Sequence, residues 1–410
     1  MIADPYPLLA RLREASPFTE FDGAMVVLGR YEDCSRILRD QRASSERDRS
    51  LLAPPGQTSG IARTRSFLSL DPPDHTRLRR LVSKAFTARV VATLEPRIRA
   101  LTDELLSAAA FAVGSGAVGP GVDGPVADGH SVELVSQLAY PLPVRIISEL
   151  LGVPPADHAR FAAWSAKLAH SVQPQFGPAD AAELAAADQA GQEFAGYFRE
   201  LIAARRTHPA GDLLTSLIRA EDEGERLTED ELIATCVLLL VAGHETTVGL
   251  ISNAVLALLR NRDEFAALRA DPGLAASAVE ETLRFDPPVQ LTGRIVRNGL
   301  TIDGVNAPDG AVLLLLLAAT GRDPLAFTDP DTFSIRRGQR EHLAFGAGAH
   351  FCLGAPLARL EATIALQSIA TRLTGLELDE DALVYKSNFN LRGPQRLVLR
   401  FDRIEPSVPG

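Results

Sequence analysis

The run Phe345-Gly-Ala-Gly-Ala-His-Phe-Cys-Leu-Gly-Ala-Pro-Leu-Ala-Arg359 most restricts what this chain can become. It sets a single cysteine, Cys352, between glycines at the mouth of a helix-forming stretch. Gly346 and Gly348, with Gly354 as a further candidate, give the backbone access to positive φ and let it approach a bulky group. Ala355 to Leu366 is rich in Ala and Leu and predicts a helix. A sulfur at that helix N-terminus meets free backbone N–H groups and the positive end of the dipole, which favours a thiolate. The alternative is that Cys352 is a small buried hydrophobe, the common fate of a free cysteine.

The 410 residues allow more than one domain, and 46% of them are apolar, enough for a large core. Forty-two Lys and Arg against 52 Asp and Glu leave a net charge of −10, which argues against a nucleic-acid binder. Cys34, Cys236 and Cys352 lie far apart and form no Cys-x-x-Cys pair, so neither a disulfide framework nor a zinc site is indicated, and a reducing cytoplasm fits. The start, Met1-Ile-Ala-Asp-Pro-Tyr-Pro7, lacks the basic and apolar regions of a signal peptide. The longest apolar runs, Cys236 to Gly243 and Ala311 to Thr320, are shorter than the roughly 20 residues that span a bilayer, so no membrane anchor is expected.

Phe18 to Gly29 reads as a hairpin about Phe-Asp-Gly-Ala, and Tyr31 to Asp40 as a helix on which Cys34 is structural. Ser50 to Gly60 is a Pro-, Gly- and Ser-rich loop able to line a pocket. Pro72-Pro73-Asp74 marks a helix start, and His75 and Arg79, four apart, share one face of that helix. They form either a solvated basic face or an anion site. Residues 108–130 read as a Gly/Ala-rich loop insertion without catalytic duty, with His130 on the surface. Helices are expected over Ser131 to Leu151, Pro155 to His170, Ala179 to Arg206 and Leu213 to Ala220, with a breaker-rich connection at Pro174 to Pro178.

Thr228-Glu-Asp-Glu231 matches a capping box ahead of an apolar-periodic run reaching about Arg260. Within it, Ala242-Gly-His-Glu-Thr-Thr247 breaks helix propensity with a Gly, an acid and two β-branched hydroxyls. Taken alone, Thr246 and Thr247 back-bond to carbonyls and Glu245 is a surface charge. Glu281-Thr-Leu-Arg284 sets opposite charges at i,i+3, worth little if exposed. Beyond Asp286-Pro-Pro288 the chain reads as extended segments and a small sheet with turns at Asn298-Gly299 and Asp309-Gly310, and the last strand is Arg396 to Phe401.

Phe345-x-x-Gly-x-His-x-Cys-x-Gly354 resembles the haem-thiolate signature of the cytochrome P450 family. The central Ala-Gly-x-Glu-Thr, Glu281-x-x-Arg284, Gly321-Arg-Asp-Pro324 and Asp329-Pro-Asp-x-Phe333 resemble that family in the same order, from about Asp4 to Phe401. The 108–130 segment departs from its usual shorter connection. The resemblance implies one mainly α-helical domain over 1–410 with small β-sheets, and a haem b between the long central helix and the cysteine-loop helix. It implies Cys352 as the axial iron ligand within a signature begun by Phe345 and closed by Gly354, with His75, Arg79, Arg294 and His350 around the propionates. A thiolate ligand pushes electron density to iron and favours O–O cleavage. By the same resemblance Ala242 and Gly243 make room for dioxygen, and Glu245 and Thr246 relay protons towards the iron. Glu281, Arg284 and Arg337 are scaffold, because a buried charge pair needs further partners. Leu238, Val241, Val289, Leu291 and Phe389 border the substrate.

The function so implied is monooxygenation, a hydroxylation or epoxidation of a hydrophobic small molecule. One oxygen atom comes from O2, and the electrons come from NAD(P)H through a separate ferredoxin and ferredoxin reductase. Arg77, Arg80 and Arg359 are candidates for docking that acidic partner. The alternatives are a haem-thiolate peroxygenase or isomerase, which commonly lacks the acid–Thr pair, and a non-catalytic haem-binding protein, which leaves Glu245-Thr246 unexplained.

Overall fold

The computed structural model describes residues 3–52, 66–114, 130–171, 181–222, 224–338 and 341–406. The Pro174 to Pro178 connection, most of the loop that begins at Ser50, and residues 115–129 of the insertion lie outside them. The architecture is organised on one helix, Glu229–Arg260, of 32 residues. Its start is fixed by a reciprocal cap: Glu231 N–H donates to Thr228 Oγ1 at 3.3 Å and Thr228 N–H to Glu231 Oε2 at 2.8 Å. Most of its residues are buried on every side, so it runs through the interior rather than along the surface. It is the one helix among the described residues long and apolar enough to cross a membrane, but 72% of its most apolar window is buried inside the protein. Its hydropathy serves the core. Helices Pro141–Leu150, Ala275–Phe285 and Ala355–Arg372 pack against it.

The sheet that flanks this bundle has five strands in the order Phe18–Glu20, Met25–Leu28, Val312–Leu315, Thr292–Val296, Ala43–Ser44. The first two form an antiparallel hairpin, Met25–Leu28 runs parallel to Val312–Leu315, and the remaining pairs are antiparallel. Pairing Leu313 with Arg294 and Ser44 with Ile295 fixes where Arg294 sits and where the edge strand delivers Ser45 and Arg47. Asn298 and Gly299 both adopt positive φ (62° and 67°) at the turn after this strand.

Two expectations are corrected. Residues 108–114 are not loop but the last turns of helix Glu95–Gly114, because their alanines favour the helix. The segment expected to open as a helix at Ser131 begins instead as a strand, His130–Glu133, paired antiparallel with Val398–Phe401, and enters helical structure only at Val135. His130 is exposed and stacks on Phe401 at 5.5 Å. Cys34 and Cys236 are fully buried, and burial pushes both thiols up.

Candidate active site

Cys352 follows a single turn of 3-10 helix, Gly348–His350, and precedes helix Ala355–Arg372. Its amide donates to Phe345 O at 2.9 Å, closing the loop on itself. Gly346 and Gly348 have φ of 69° and 67°, and at Gly348 a Cβ would lie 2.5 Å from Leu38 O, so only glycine fits. Gly354 differs from expectation: its φ is −79°, and it serves as the N-cap of the following helix. Burial pushes the Cys352 thiol up, opposed by the amides of Gly354 and Ala355 and by the charges of Arg79 and Arg359. Desolvation therefore outweighs the helix N-terminus in the protein alone. A metal cation held by the sulfur would supply the missing charge, since a coordinating thiol is deprotonated outright.

Helix Asp74–Ala85 brings His75 and Arg79 to the same loop. The rings of His75 and His350 lie 4.1 Å apart, and Arg79 Nη2 donates to Phe351 O at 2.7 Å. His75 is 2% exposed, and neither ring nitrogen has a hydrogen-bond partner. His350 lies 3.1 Å from Ser45 Oγ and is pushed down to about 3 by burial, with His75 and Arg294 adding like charge. Arg294 is pushed down to about 10 by burial and then by Arg47, and its hydrogen bonds go to Gly293 O at 2.8 Å and Thr292 Oγ1 at 3.3 Å. Among the described residues, Asp71 is the acid that acts on this group, and it is already held by Ser44, Ser45 and Arg297.

The residues present fit a haem. Among the described residues, neither Arg79 nor Arg294 pairs with a carboxylate, and half-buried guanidiniums beside two unsatisfied buried imidazole nitrogens suit an anion with two carboxylates. On the central helix, Ala242 and Gly243 are exposed between buried neighbours, and a Cβ added at Gly243 would meet nothing within 4 Å. An opening in the middle of a core helix is the second half of that fit. Arg47 belongs to this group, yet the sequence reading missed it. The signal available was a basic residue three past the edge strand Ala43–Ser44.

One turn along, Thr246 Oγ1 donates to Ala242 O and Thr247 Oγ1 to Gly243 O, both at 2.8 Å. Glu245 is not a surface charge. It is half-buried, with Lys386 Nζ 2.5 Å from Oε2 and His244 Nε2 3.4 Å from Oε1. Burial would raise this carboxyl, but His244 and Lys386 outweigh it and hold it at about 2. His244 is itself buried, with Nδ1 3.2 Å from Leu240 O and its ring edge-on to Tyr140.

The scaffold residues are brought together. Glu281 accepts from Arg284 Nε and Nη2, both at 2.8 Å and buried, and from Arg337 Nε at 3.1 Å and Ser334 N–H at 2.8 Å, both part-buried. Arg284 also donates to Gly321, Pro330 and Thr332 carbonyls, tying the helix to the chain that leads into the cysteine loop. Val289, Leu291 and Phe389 come from segments joined by Asn390, whose O and Oδ1 accept from Gln290 and Leu291 amides. Leu238 and Val241 lie on the central helix in the cluster that includes Phe345 and Leu353; Leu291 is buried and Phe389 is 54% exposed. The arginines suggested for docking are mostly spoken for: Arg77 pairs with Glu231, Arg359 pairs with Glu280, and Arg80 is also engaged. Arg77 and Arg359 therefore each face an acid of this chain.

Comparison with known proteins agrees with this arrangement. The family model described as Cytochrome P450 matches residues 182–272 and 273–385. The chain is 41% identical to cytochrome P450 monooxygenase PikC of Streptomyces venezuelae over 98% of its length and 92% of the relative's. It is 40% identical to the vitamin D(3) 25-hydroxylase of Pseudonocardia autotrophica, covering 96% and 93%. The ligand-free crystal structure of Mycobacterium smegmatis CYP164A2 superposes with a TM-score of 0.84 at 45% identity, covering 97% of this chain and 96% of that one. A cysteine loop shaped by glycines and an opened core helix, on a fold shared over nearly the whole length, place this chain in the cytochrome P450 family of haem-thiolate monooxygenases.

Proposed function

We propose that this chain holds haem b through Cys352 and hydroxylates or epoxidises a hydrophobic small molecule, with electrons from NAD(P)H by way of a ferredoxin and its reductase. The carrying observation is the buried His75 ring with two unpartnered nitrogens, beside Arg79, Arg294 and His350 at the cysteine loop. When bound, haem supplies dioxygen activation at iron, and the thiolate ligand favours O–O cleavage.

The rest of the chemistry falls to the chain. Arg79, Arg294 and Arg47 offer guanidiniums to the propionates, and His75 and His350 offer ring nitrogens. Ala242 and Gly243 leave space beside the cofactor. Glu245 takes up a proton from water and passes it to Thr246 Oγ1, which releases Ala242 O and hands its own proton on to that space. Leu238, Val241, Val289, Leu291 and Phe389 line the substrate side with apolar surface and exclude water. Hydroxylation agrees with the name of one relative, a vitamin D(3) hydroxylase. The proposed location is the cytoplasm.

The test is turnover of the holoenzyme with ferredoxin, reductase and NAD(P)H. Thr246→Ala is expected to keep haem and substrate binding but to lose its electrons to peroxide. Fully coupled turnover in that variant contradicts the relay. Product formed with peroxide alone, and none with the redox chain, favours a peroxygenase instead.

A further inference from the structure

The acid on the central helix is not free to do the work proposed for it. Glu245 Oε2 is bound by Lys386 at 2.5 Å and Oε1 faces His244 Nε2 at 3.4 Å, while Thr246 Oγ1 is committed to Ala242 O. Among the described residues, neither carboxylate oxygen is bonded to Thr246. Lys386 does not belong to the central helix. It stands beside the hairpin formed by Val384–Tyr385 and Pro394–Arg396, with its amide donating to Gly393 O at 3.1 Å. The turn of that hairpin is folded by Asn388 Oδ1, which accepts from the amides of Asn390 and Leu391, and docked on the segment after Pro288 through the Val289–Leu391 bridge. The ion pair therefore ties the C-terminal turn, which carries Phe389, to the central helix.

We infer that Lys386 is a positioning residue that latches Glu245 away from Thr246, so that Glu245 delivers a proton only when the Lys386 contact opens. The inference rests on reading Glu245 as a proton carrier. It adds that the C-terminal turn, a proposed wall of the substrate site, controls that carrier.

Among the described residues, three charged or titratable groups face Glu245: Lys386 from the hairpin, His244 from its own helix, and Tyr140 at the start of helix Pro141–Leu150. Lys386 is the one whose removal leaves a half-buried carboxylate without its cation. Burial then dominates, because desolvation is the largest single influence on this group and acts to raise it. The proton stays on longer, and the acid limb of proton delivery moves into the range where the protein is folded.

The experiment compares ferric holoenzymes of the wild type, Lys386→Met and Glu245→Gln by infrared titration. In Lys386→Met a protonated-carboxyl band absent from Lys386→Met/Glu245→Gln is expected, its midpoint raised by about two to three pH units above that of the wild type. Product formed per NAD(P)H is expected to gain an acid limb at the same pH. A lysine that only supplies counter-charge would move the band and leave product formed per NAD(P)H independent of pH. The latch is overturned if no Glu245 band appears at any pH at which Lys386→Met stays folded, or if the band titrates while coupling stays flat. If Lys386→Met does not retain its haem spectrum, Lys386→Gln removes the same charge and carries the same measurement. Failure of the relay itself is distinct, because it shows as Glu245→Gln turning over with wild-type coupling.

Discussion

Removing the Glu281 carboxylate is expected to be among the most damaging single changes in this protein. Glu281 and Arg284 are 3% and 1% exposed, and the carboxylate is shared with Arg337. In Glu281→Ala two guanidiniums lose their counter-charge, and the Ser334 amide loses its acceptor. Breaking one side of a buried ion pair costs about 3–5 kcal/mol, because the remaining charge stays desolvated. The carbonyls of Gly321, Pro330 and Thr332 still receive Arg284, which pulls the cost down, while the second orphaned cation pulls it up. A loss of about 4 kcal/mol is therefore expected, a large share of the roughly 5–15 kcal/mol of a typical folded domain. The assay is urea unfolding of the holoenzyme followed by both circular dichroism and the haem spectrum. Glu405→Ala serves as the control, since its pair with Arg403 is exposed and is worth about 1 kcal/mol or less. A Glu281→Ala loss no larger than that of Glu405→Ala would refute the reasoning.

Two further outcomes follow from the same geometry. His75→Phe is expected to stabilise the haem-free protein by about 1–3 kcal/mol, because two unsatisfied buried nitrogens are removed, while speeding haem loss to an acceptor protein; thermal unfolding of the apoprotein and the transfer rate read the two effects separately. Burial would raise Glu280, but His342 and Arg359 outweigh it and hold it at about 2. A carboxyl lowered on folding contributes stability that is present above the unfolded value and lost as pH falls through the folded one. Arg359→Met should therefore move the acid-unfolding midpoint to higher pH and make the dependence of stability on pH shallower between the unfolded carboxyl value of 4.5 and about 2.

What was legible in the sequence was what is locally encoded. The capping box at Thr228 and Glu231 sets the start of the central helix through bonds three residues apart, and Gly346 and Gly348 declare their positive φ in a short loop. The cysteine loop, the helix at Asp74 and the hairpin at Phe18 are similarly self-contained. What was not legible depends on partners distant in sequence. Ser131 is in a strand because Arg400 lies opposite it. Glu245 is a held carboxylate rather than a surface charge because Lys386 arrives from the C-terminal hairpin. Arg47 and Asp71 join the polar group around His350 because the edge strand pairs with the strand carrying Arg294. The back-bonding of Thr246 and Thr247, by contrast, is what isolated threonines in a helix do.

The central claim is that Cys352 binds haem iron as a thiolate. It is tested most directly by the optical spectrum of the freshly reduced, folded protein under carbon monoxide. The account predicts a red-shifted Soret band that is lost in Cys352→His while haem remains bound. An unshifted band in the wild type, or a red-shifted one that survives in Cys352→His, would contradict it.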